Sequence, residues 1–293
     1  MAERDRVPQE LLDLYDRYAH GFITRRELFD RAAKFAVGGL TVVAVVEGVM
    51  PRYAEAQQIR EEDPRVVGER IEYPSPQGAG TMGAYLVRPA GAEGKLPGVV
   101  VIHENRGLNP HIADVARRVA VEGYLAMAPD ALFPLGGYPG TDDEGRTLQR
   151  QRDRDEMEQD FIAAIRWLQA HERCTGKVAC IGFCFGGSMT NLMAVRVPDL
   201  AAAVPFYGGQ PAVDEAEKIN APLLIHFGEL DERVNAGWPA YEEALEAAGK
   251  EYTAHFYAGA NHGFHNDTTP RYDEEAAKLA WSRTVEFLAE HLK

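Results

Sequence analysis

The chain has 293 residues, of which 45% are hydrophobic and 26% are charged. This length and composition allow a sizeable buried core and exclude a disordered or fibrous protein. The formal net charge of −14 repels phosphate backbones, so nucleic-acid binding is not expected. Three cysteines, an odd and low count, do not describe a disulfide framework.

Residues 1–64 differ in character from the rest and are predicted to form an N-terminal helical extension. Residues 8–20 have the apolar periodicity of an amphipathic helix. An arginine pair at 25–26 precedes an apolar run over 35–46 and an Ala-Glu-Ala triplet at 54–56. This order resembles a twin-arginine export signal, which would direct the protein to the periplasm.

The alternative is a cytoplasmic protein that retains this segment. The segment would then be a helical arm that packs on the catalytic domain or on a second subunit. Packing on a second subunit would make the protein a homo-oligomer. The apolar run of about twelve residues is shorter than the roughly 20 that cross a bilayer. No stable membrane span is therefore predicted.

Residues 65–293 alternate between strand and helix patterns and are predicted to form one catalytic domain. The Gly-, Pro- and Asp-rich stretch 130–150 is predicted to be a long loop, as in many lids. The alternation predicts an α/β fold with a mostly parallel central sheet and helices on both faces. The predicted strands are 69–73, 84–88, 98–102, 124–128, 177–182, 202–206, 222–227 and 252–257, and the predicted helices are 112–122, 153–171, 186–195, 238–248 and 273–291.

The strongest chemical signal is the hexapeptide Gly-Phe-Cys-Phe-Gly-Gly at 182–187, between an apolar strand and a helix. A nucleophile between glycines at such a turn is typical of the nucleophile elbow of the α/β-hydrolase fold. The turn is so sharp that larger flanking side chains would collide. Cys184 is therefore the predicted nucleophile, and the helix dipole beginning after it favours a thiolate. The alternative is a structural turn with a buried cysteine.

Two later loops supply the partners that such a nucleophile needs. Asp231 follows the strand 222–227, and His262 follows the strand 252–257. In the α/β-hydrolase fold the acid and then the base come after the nucleophile in this order. Each residue alone has a structural alternative, a cap for Asp231 and a loop histidine for His262. Together with Cys184 they predict a Cys-His-Asp triad.

The triad chemistry predicts acyl transfer. His262 takes or shares the thiol proton, Asp231 orients the imidazole, and the thiolate forms an acyl-enzyme that water hydrolyses. The developing oxyanion requires two donors. The backbone N–H of Phe185 is the first, and the loop after strand 98–102 is expected to supply the second at Asn105.

These motifs, together with His-Glu-Asn-Arg-Gly-Leu-Asn at 103–109, resemble the dienelactone hydrolase family over about residues 65–291. The family pattern Glu-x-x-Gly-(Leu/Val)-Asn is matched from Glu104 onward. The resemblance implies that Glu104 contacts the resting Cys184 thiol and helps to generate the thiolate. The alternative for Glu104 is an ion pair with Arg106 or another neighbour.

One departure from the family bears on the substrate. Family members bind the substrate carboxylate with arginines, one of them four residues after the catalytic histidine, where this chain has Asn266. Residues 131–135 also lack the other arginine. Arg106 or Arg233 could substitute, since a carboxylate clamp needs cationic donors. We therefore expect a small ester or lactone other than dienelactone itself.

No cofactor and no metal are predicted. There is no Gly-x-Gly-x-x-Gly after a strand and no Walker loop, and the pairs His262/His265 and His103/Glu104 lack a third ligand at a convincing spacing. Two other functions are compatible with the fold. The protein could be a non-catalytic binding protein, or Cys184 could be a redox thiol.

Overall fold

The structure is a computed structural model that describes residues 7–293, so the first six residues of the predicted extension 1–64 lie outside it. Eight strands of the described chain form one sheet. They are β1 (Val66–Ser75), β2 (Gly80–Pro89), β3 (Leu96–Ile102), β4 (Leu125–Asp130), β5 (Cys174–Phe183), β6 (Ala202–Phe206), β7 (Leu223–Gly228) and β8 (Tyr252–Tyr257). Each predicted strand is present, mostly extended by a few residues.

The strand order is β1-β2-β4-β3-β5-β6-β7-β8. All pairs from β4 to β8 are parallel, whereas β1 and β2 form an antiparallel hairpin whose second strand also pairs antiparallel with β4. Parallel strands place their carboxyl ends at one edge, and the loops that leave β3, β5, β7 and β8 therefore converge there. The predicted α/β-hydrolase fold is confirmed.

Helices cover both faces of this sheet. Successive residues of a strand point to opposite faces, and along β3 Val100 and Ile102 enter one hydrophobic cluster while Val99 and Val101 enter another. The helices of the catalytic domain are α4 (Pro110–Val121), α5 (Asp142–Gln149), α6 (Arg154–Ala170), α7 (Phe185–Arg196), α8 (Glu232–Asn235), α9 (Trp238–Ala247) and α10 (Glu274–Leu292). Helices α6, α7 and α9 pack on the first cluster, and α4 and α10 pack on the second.

The prediction of a structureless loop over 130–150 was wrong. This stretch contains a short 3₁₀ helix, Phe133–Leu135, and the eight-residue helix α5. The Thr141 side chain caps α5 by accepting a hydrogen bond from the backbone N–H of Glu144, and three acidic residues occupy the first turn. These caps and charges stabilise a helix N-terminus, but the glycines and prolines before residue 141 obscured them in the sequence.

The N-terminal segment folds into three helices, α1 (Gln9–Ala19), α2 (Arg25–Ala32) and α3 (Val42–Glu47). They enclose a hydrophobic cluster of their own that contains the buried side chains of Tyr15, Leu28 and Val46. We refer to residues 7–50 as the N-terminal arm. The apolar run 35–46 is not a continuous helix, because the backbone turns at two glycines with positive φ, at 38 and 39.

The arm packs on the catalytic domain. Asp16 forms an ion pair with Arg271, with 2.8 Å between Oδ1 and Nη1, and the Tyr18 hydroxyl hydrogen-bonds to Asp143. The helix α2 begins with the arginine pair 25–26. Thr24 is its N-cap and forms a capping box with Glu27. Within residues 7–293, every helix is too short or too polar to cross a membrane.

Candidate active site

Cys184 lies at the sharp turn between β5 and α7. Its backbone has φ of 56°, a left-handed conformation that is uncommon outside glycine. The glycines around it are required by close contacts. A Cβ at Gly182 would lie 2.0 Å from the carbonyl oxygen of Gly186, and one at Gly186 would lie 2.2 Å from that of Ile102. The sharp turn therefore places the Cys184 side chain at the carboxyl edge of the sheet.

Asp231 and His262 meet at the same edge. Asp231 follows β7 and caps α8, and its Oδ2 lies 2.5 Å from Nδ1 of His262 in the loop after β8. Both residues are buried. The hydrogen bond fixes Nδ1 toward the carboxylate and leaves Nε2 of His262 facing the site, where it has no hydrogen-bond partner among the described residues. The sequence prediction that these loops converge is met by this geometry.

The electrostatics of the site favour a thiolate. Burial alone would raise the pKa of Cys184, but the imidazoles of His262 and His20 lower it to about 5. Burial would lower the pKa of His262, but the charges of Asp231 and Cys184 raise it to about 10. Burial also acts to raise the pKa of Asp231, and His262 nevertheless lowers it. An anion on sulfur and a cation on the imidazole therefore stabilise each other.

His20 is the site residue that the sequence analysis missed. It ends α1 in the N-terminal arm, and its Nε2 lies 3.4 Å from Sγ of Cys184. The His20 and His262 rings are in edge contact, with centroids 4.7 Å apart. One signal was present in the sequence, since Asp16 and His20 are four residues apart and therefore share a helix face.

The arm packs over Cys184. The side chain of Asn105 donates a hydrogen bond of 2.8 Å to the carbonyl oxygen of Ala19, and Gln9 hydrogen-bonds to Asn261. A cleft of about 720 Å³ remains between the arm and the catalytic domain, and His262 and Arg233 form part of its lining. Substrate access to Cys184 thus depends on residues of the arm.

One ring nitrogen each of His20 and His262 and the sulfur of Cys184 lie within 4.8 Å of one another. This is the single group of three potential ligands found in residues 7–293. Cys184 and His20 are hydrogen-bonded to each other and His262 to Asp231, and we assign no metal to this group.

A model of the Dienelactone hydrolase family matches residues 82–292, more than two thirds of the chain. The chain belongs to the dienelactone hydrolase family. A second model, described as YqhI-like, matches residues 2–34 and so covers α1 and α2 completely. The family membership agrees with the resemblance seen in the sequence motifs.

Relatives of this family member support the same assignment. The chain is 57% identical over 114 residues to the "Putative hydrolase fragment YghX" of Escherichia coli K12, covering 39% of this chain and 97% of that protein. It is 33% identical over 226 residues to a "Putative carboxymethylenebutenolidase" of Salmonella typhimurium, covering 72% and 83%. The crystal structure of a "Putative Dienelactone Hydrolase" from Klebsiella pneumoniae superposes with a TM-score of 0.67 at 32% identity, covering 76% and 99%.

Glu104, the residue that the dienelactone hydrolase pattern points to, is not hydrogen-bonded to Cys184. Its Oε2 lies 3.0 Å from Nη2 of Arg106 and accepts a hydrogen bond of 3.0 Å from Asn266. The ion pair that we had considered as the alternative is therefore the arrangement observed. Burial would raise the pKa of Glu104, but the cations around it, Arg106 first, lower it.

Arg106 is itself fully buried. Its guanidinium also binds Asp142, with 2.6 Å between Nη1 and Oδ2, so two carboxylates compensate the buried charge. As a substrate-binding residue it would have to release a carboxylate. Arg233, the other candidate, lies at the site, where its Nη2 is 3.2 Å from Nε2 of His20. The sequence analysis overlooked Arg271, a buried cation in the cleft that pairs with Asp16.

The predicted oxyanion donors belong to two neighbouring segments. Phe185 is the first residue of α7, directly after the nucleophile. The backbone of Gly186 packs against the carbonyl groups of Ile102 and His103, which places the start of the Asn105 loop beside the elbow. The Asn105 side chain is occupied by Ala19 of the arm, so a donor from this residue would be its backbone N–H.

Proposed function

We propose that this protein is a cysteine-dependent hydrolase of a small carboxylic ester or lactone. Family membership makes it an ester- or lactone-bond hydrolase. The cysteine mechanism is carried by one observation, the hydrogen-bonded Asp231–His262 pair beside a cysteine at a strained, glycine-flanked elbow. In this proposal Cys184 is the nucleophile, His262 the acid and base, and Asp231 the residue that orients His262.

The proposed reaction has two stages. The Cys184 thiolate adds to the carbonyl carbon, the C–O bond breaks, and the His262 imidazolium gives its proton to the leaving oxygen. Water then adds to the thioester and gives a proton to His262, and the C–S bond breaks to release the acid. The N–H groups of Phe185 and Asn105 are proposed to bind the oxyanion in both stages.

The substrate is proposed to be small and without a carboxylate that demands an arginine clamp. Asn266 replaces the family's arginine, Arg271 is already paired with Asp16, and Arg106 is buried between two carboxylates. A role for Glu104 in generating the thiolate would require its release from Arg106 and Asn266. We propose this as a second position of the side chain, reached when substrate displaces a partner.

An ester and lactone panel tests the proposal. Cys184→Ala and His262→Ala should each abolish hydrolysis while the fold persists, and Asp231→Asn should reduce it by orders of magnitude, because the imidazole loses its orientation. Turnover by Cys184→Ala at the wild-type rate would refute the mechanism. No burst, no turnover and no alkylation of Cys184 would favour a binding protein, and peroxide-driven sulfenic acid without turnover would favour a redox thiol.

Export through the arginine pair at 25–26 stays a proposal, and so does the division into an extension 1–64 and a catalytic domain 65–293. The intact mass of the protein purified from its native host distinguishes export with cleavage from retention of the N-terminal segment. Cleavage after Ala56 would support export and remove the whole arm, whereas a full-length mass would support retention.

A further inference from the structure

We infer that His20 of the N-terminal arm is a catalytic residue, a second base that holds the proton of Cys184, and that Asp16 positions it. The inference rests on the proposed cysteine mechanism, which it extends, and on retention of the arm rather than its cleavage after Ala56. A different part of the chain, 164 residues before the nucleophile, then completes the active site.

The hydrogen bonds around the sulfur carry this inference. Nε2 of His20 lies 3.4 Å from Sγ of Cys184, within hydrogen-bond distance, whereas Nε2 of His262 has no partner with hydrogen-bond geometry among residues 7–293. Nδ1 of His20 lies 2.8 Å from the backbone oxygen of Asp16 and 3.3 Å from its Oδ2. Because both are acceptors, the Nδ1 proton faces them, and the lone pair of Nε2 faces the Cys184 thiol at 3.4 Å and the Arg233 guanidinium at 3.2 Å.

The His20–Asp16 pair thus repeats the His262–Asp231 pair beside the same sulfur. The Asp16 carboxylate is fixed in turn by Arg271, at 2.8 Å, whose side chain is 2% exposed. Such a buried support restricts the imidazole to one orientation, as supporting hydrogen bonds do at designed sites. An arm that only covered the site would not require this support.

Charged or titratable groups face His20 from four elements. Asp16 lies on its own helix, Cys184 on the elbow, His262 on the loop after β8, and Arg233 on α8. Burial and the His262 cation lower the pKa of His20, but the Cys184 thiolate and Asp16 raise it overall. The Arg233 guanidinium, 3.2 Å from Nε2, donates to the same ring nitrogen and opposes its protonation.

The two imidazoles then have separate tasks. The S–H bond breaks and an N–H bond forms at Nε2 of His20, which leaves a thiolate before substrate arrives. His262 starts protonated, gives its proton to the leaving oxygen, and recovers one from the attacking water. The thiolate that leaves when the C–S bond breaks is the same species that began the cycle, so protons and electrons balance.

The test uses the full chain with His20→Gln, which keeps polar atoms near the sulfur but cannot hold its proton. Asp16→Asn is the second variant. The matched histidine control is His291→Gln on α10, a histidine that contacts Phe287 and Glu251. The readouts are the ultraviolet absorbance of the thiolate against pH and the pH profile of kcat/KM. Circular dichroism checks that each variant is folded.

We expect the thiolate midpoint to rise by about one pH unit or more in His20→Gln, since a nearby opposite charge shifts a pKa by about 1–3 units. Below the midpoint this removes about tenfold of the thiolate and of kcat/KM. Asp16→Asn should shift the midpoint in the same direction by less, and His291→Gln should leave it unchanged.

A thiolate titration of His20→Gln that superimposes on the wild type would overturn the inference. A lower kcat with an unchanged midpoint would also overturn it, because that pattern describes a structural contact. The titration needs no substrate, so it decides on His20 even if no ester is hydrolysed. Loss of turnover in Cys184→Ala, by contrast, concerns the proposed function alone.

Discussion

The reactivity of Cys184 should persist into acid solution. With its pKa lowered to about 5, the thiol is about half thiolate at pH 5 and almost fully thiolate at pH 7, so the alkylation rate should change only about twofold between them. An ordinary thiol with a pKa of about 8.5 would change about a hundredfold over the same interval. The sign follows from the thiolate being the nucleophile, present above its pKa.

The ratio of the two rates is more informative than either rate. A thiolate of low pKa is intrinsically less nucleophilic, by about 40-fold over 3.5 pKa units, and the arm limits access to the sulfur. Both factors act at pH 5 and at pH 7 alike, so they cancel in the ratio. At pH 7 alone, the greater thiolate fraction and the weaker nucleophile would nearly offset each other.

The assay is iodoacetamide alkylation followed by intact mass. Cys174 and Cys180 serve as internal controls, because burial raises both of their pKa values, that of Cys180 to about 12. A single adduct is therefore expected. His262→Gln removes an imidazolium that lowers the pKa of Cys184. The alkylation rate of this variant should therefore rise steeply between pH 5 and pH 7. A hundredfold rise in the wild-type protein would refute the electrostatic reasoning.

Two further predictions concern the scaffold of the site. Gly186→Ala should lower both kcat/KM and the free energy of unfolding, the latter by about 1–3 kcal/mol. The reason is that its Cβ would lie 2.2 Å from the Ile102 carbonyl oxygen. Denaturant unfolding measures the change, and Gly209→Ala, whose Cβ would lie 3.3 Å from its nearest neighbour, a side-chain oxygen, is the control. Glu104→Gln should destabilise the fold by about 3 kcal/mol, because it breaks a buried ion pair. The low end of the range is expected since Arg106 keeps Asp142 as a partner. A cost no greater than that of Glu61→Gln, at an exposed position, would contradict the ion-pair assignment.

Sequence periodicity predicted the sheet, most helices and the three loops at its carboxyl edge. It succeeded because parallel strands bring their carboxyl ends together, so that Cys184, Asp231 and His262 converge whatever the details of packing. The glycines at the elbow were equally informative, since backbone contacts of about 2 Å exclude any side chain there.

The arm could not be predicted in the same way. Its contacts with the site join His20 to Cys184 and Asp16 to Arg271 across most of the chain length. No periodicity encodes such docking, which depends on the fit of two finished surfaces. Residues 25–26 and the apolar run suggested an export signal, whereas the structure shows that this stretch also folds into a small helical cluster on the domain.

Among the described residues, positive φ outside glycine is confined to Cys184 and Tyr207, at 56° and 37°. They follow the neighbouring strands β5 and β6, and each such residue costs about 1–3 kcal/mol. Glycine at position 184 would relieve that strain, so an inactive variant should resist denaturation better than the active protein. That gain in stability would come with loss of the sulfur on which the proposed acyl transfer depends.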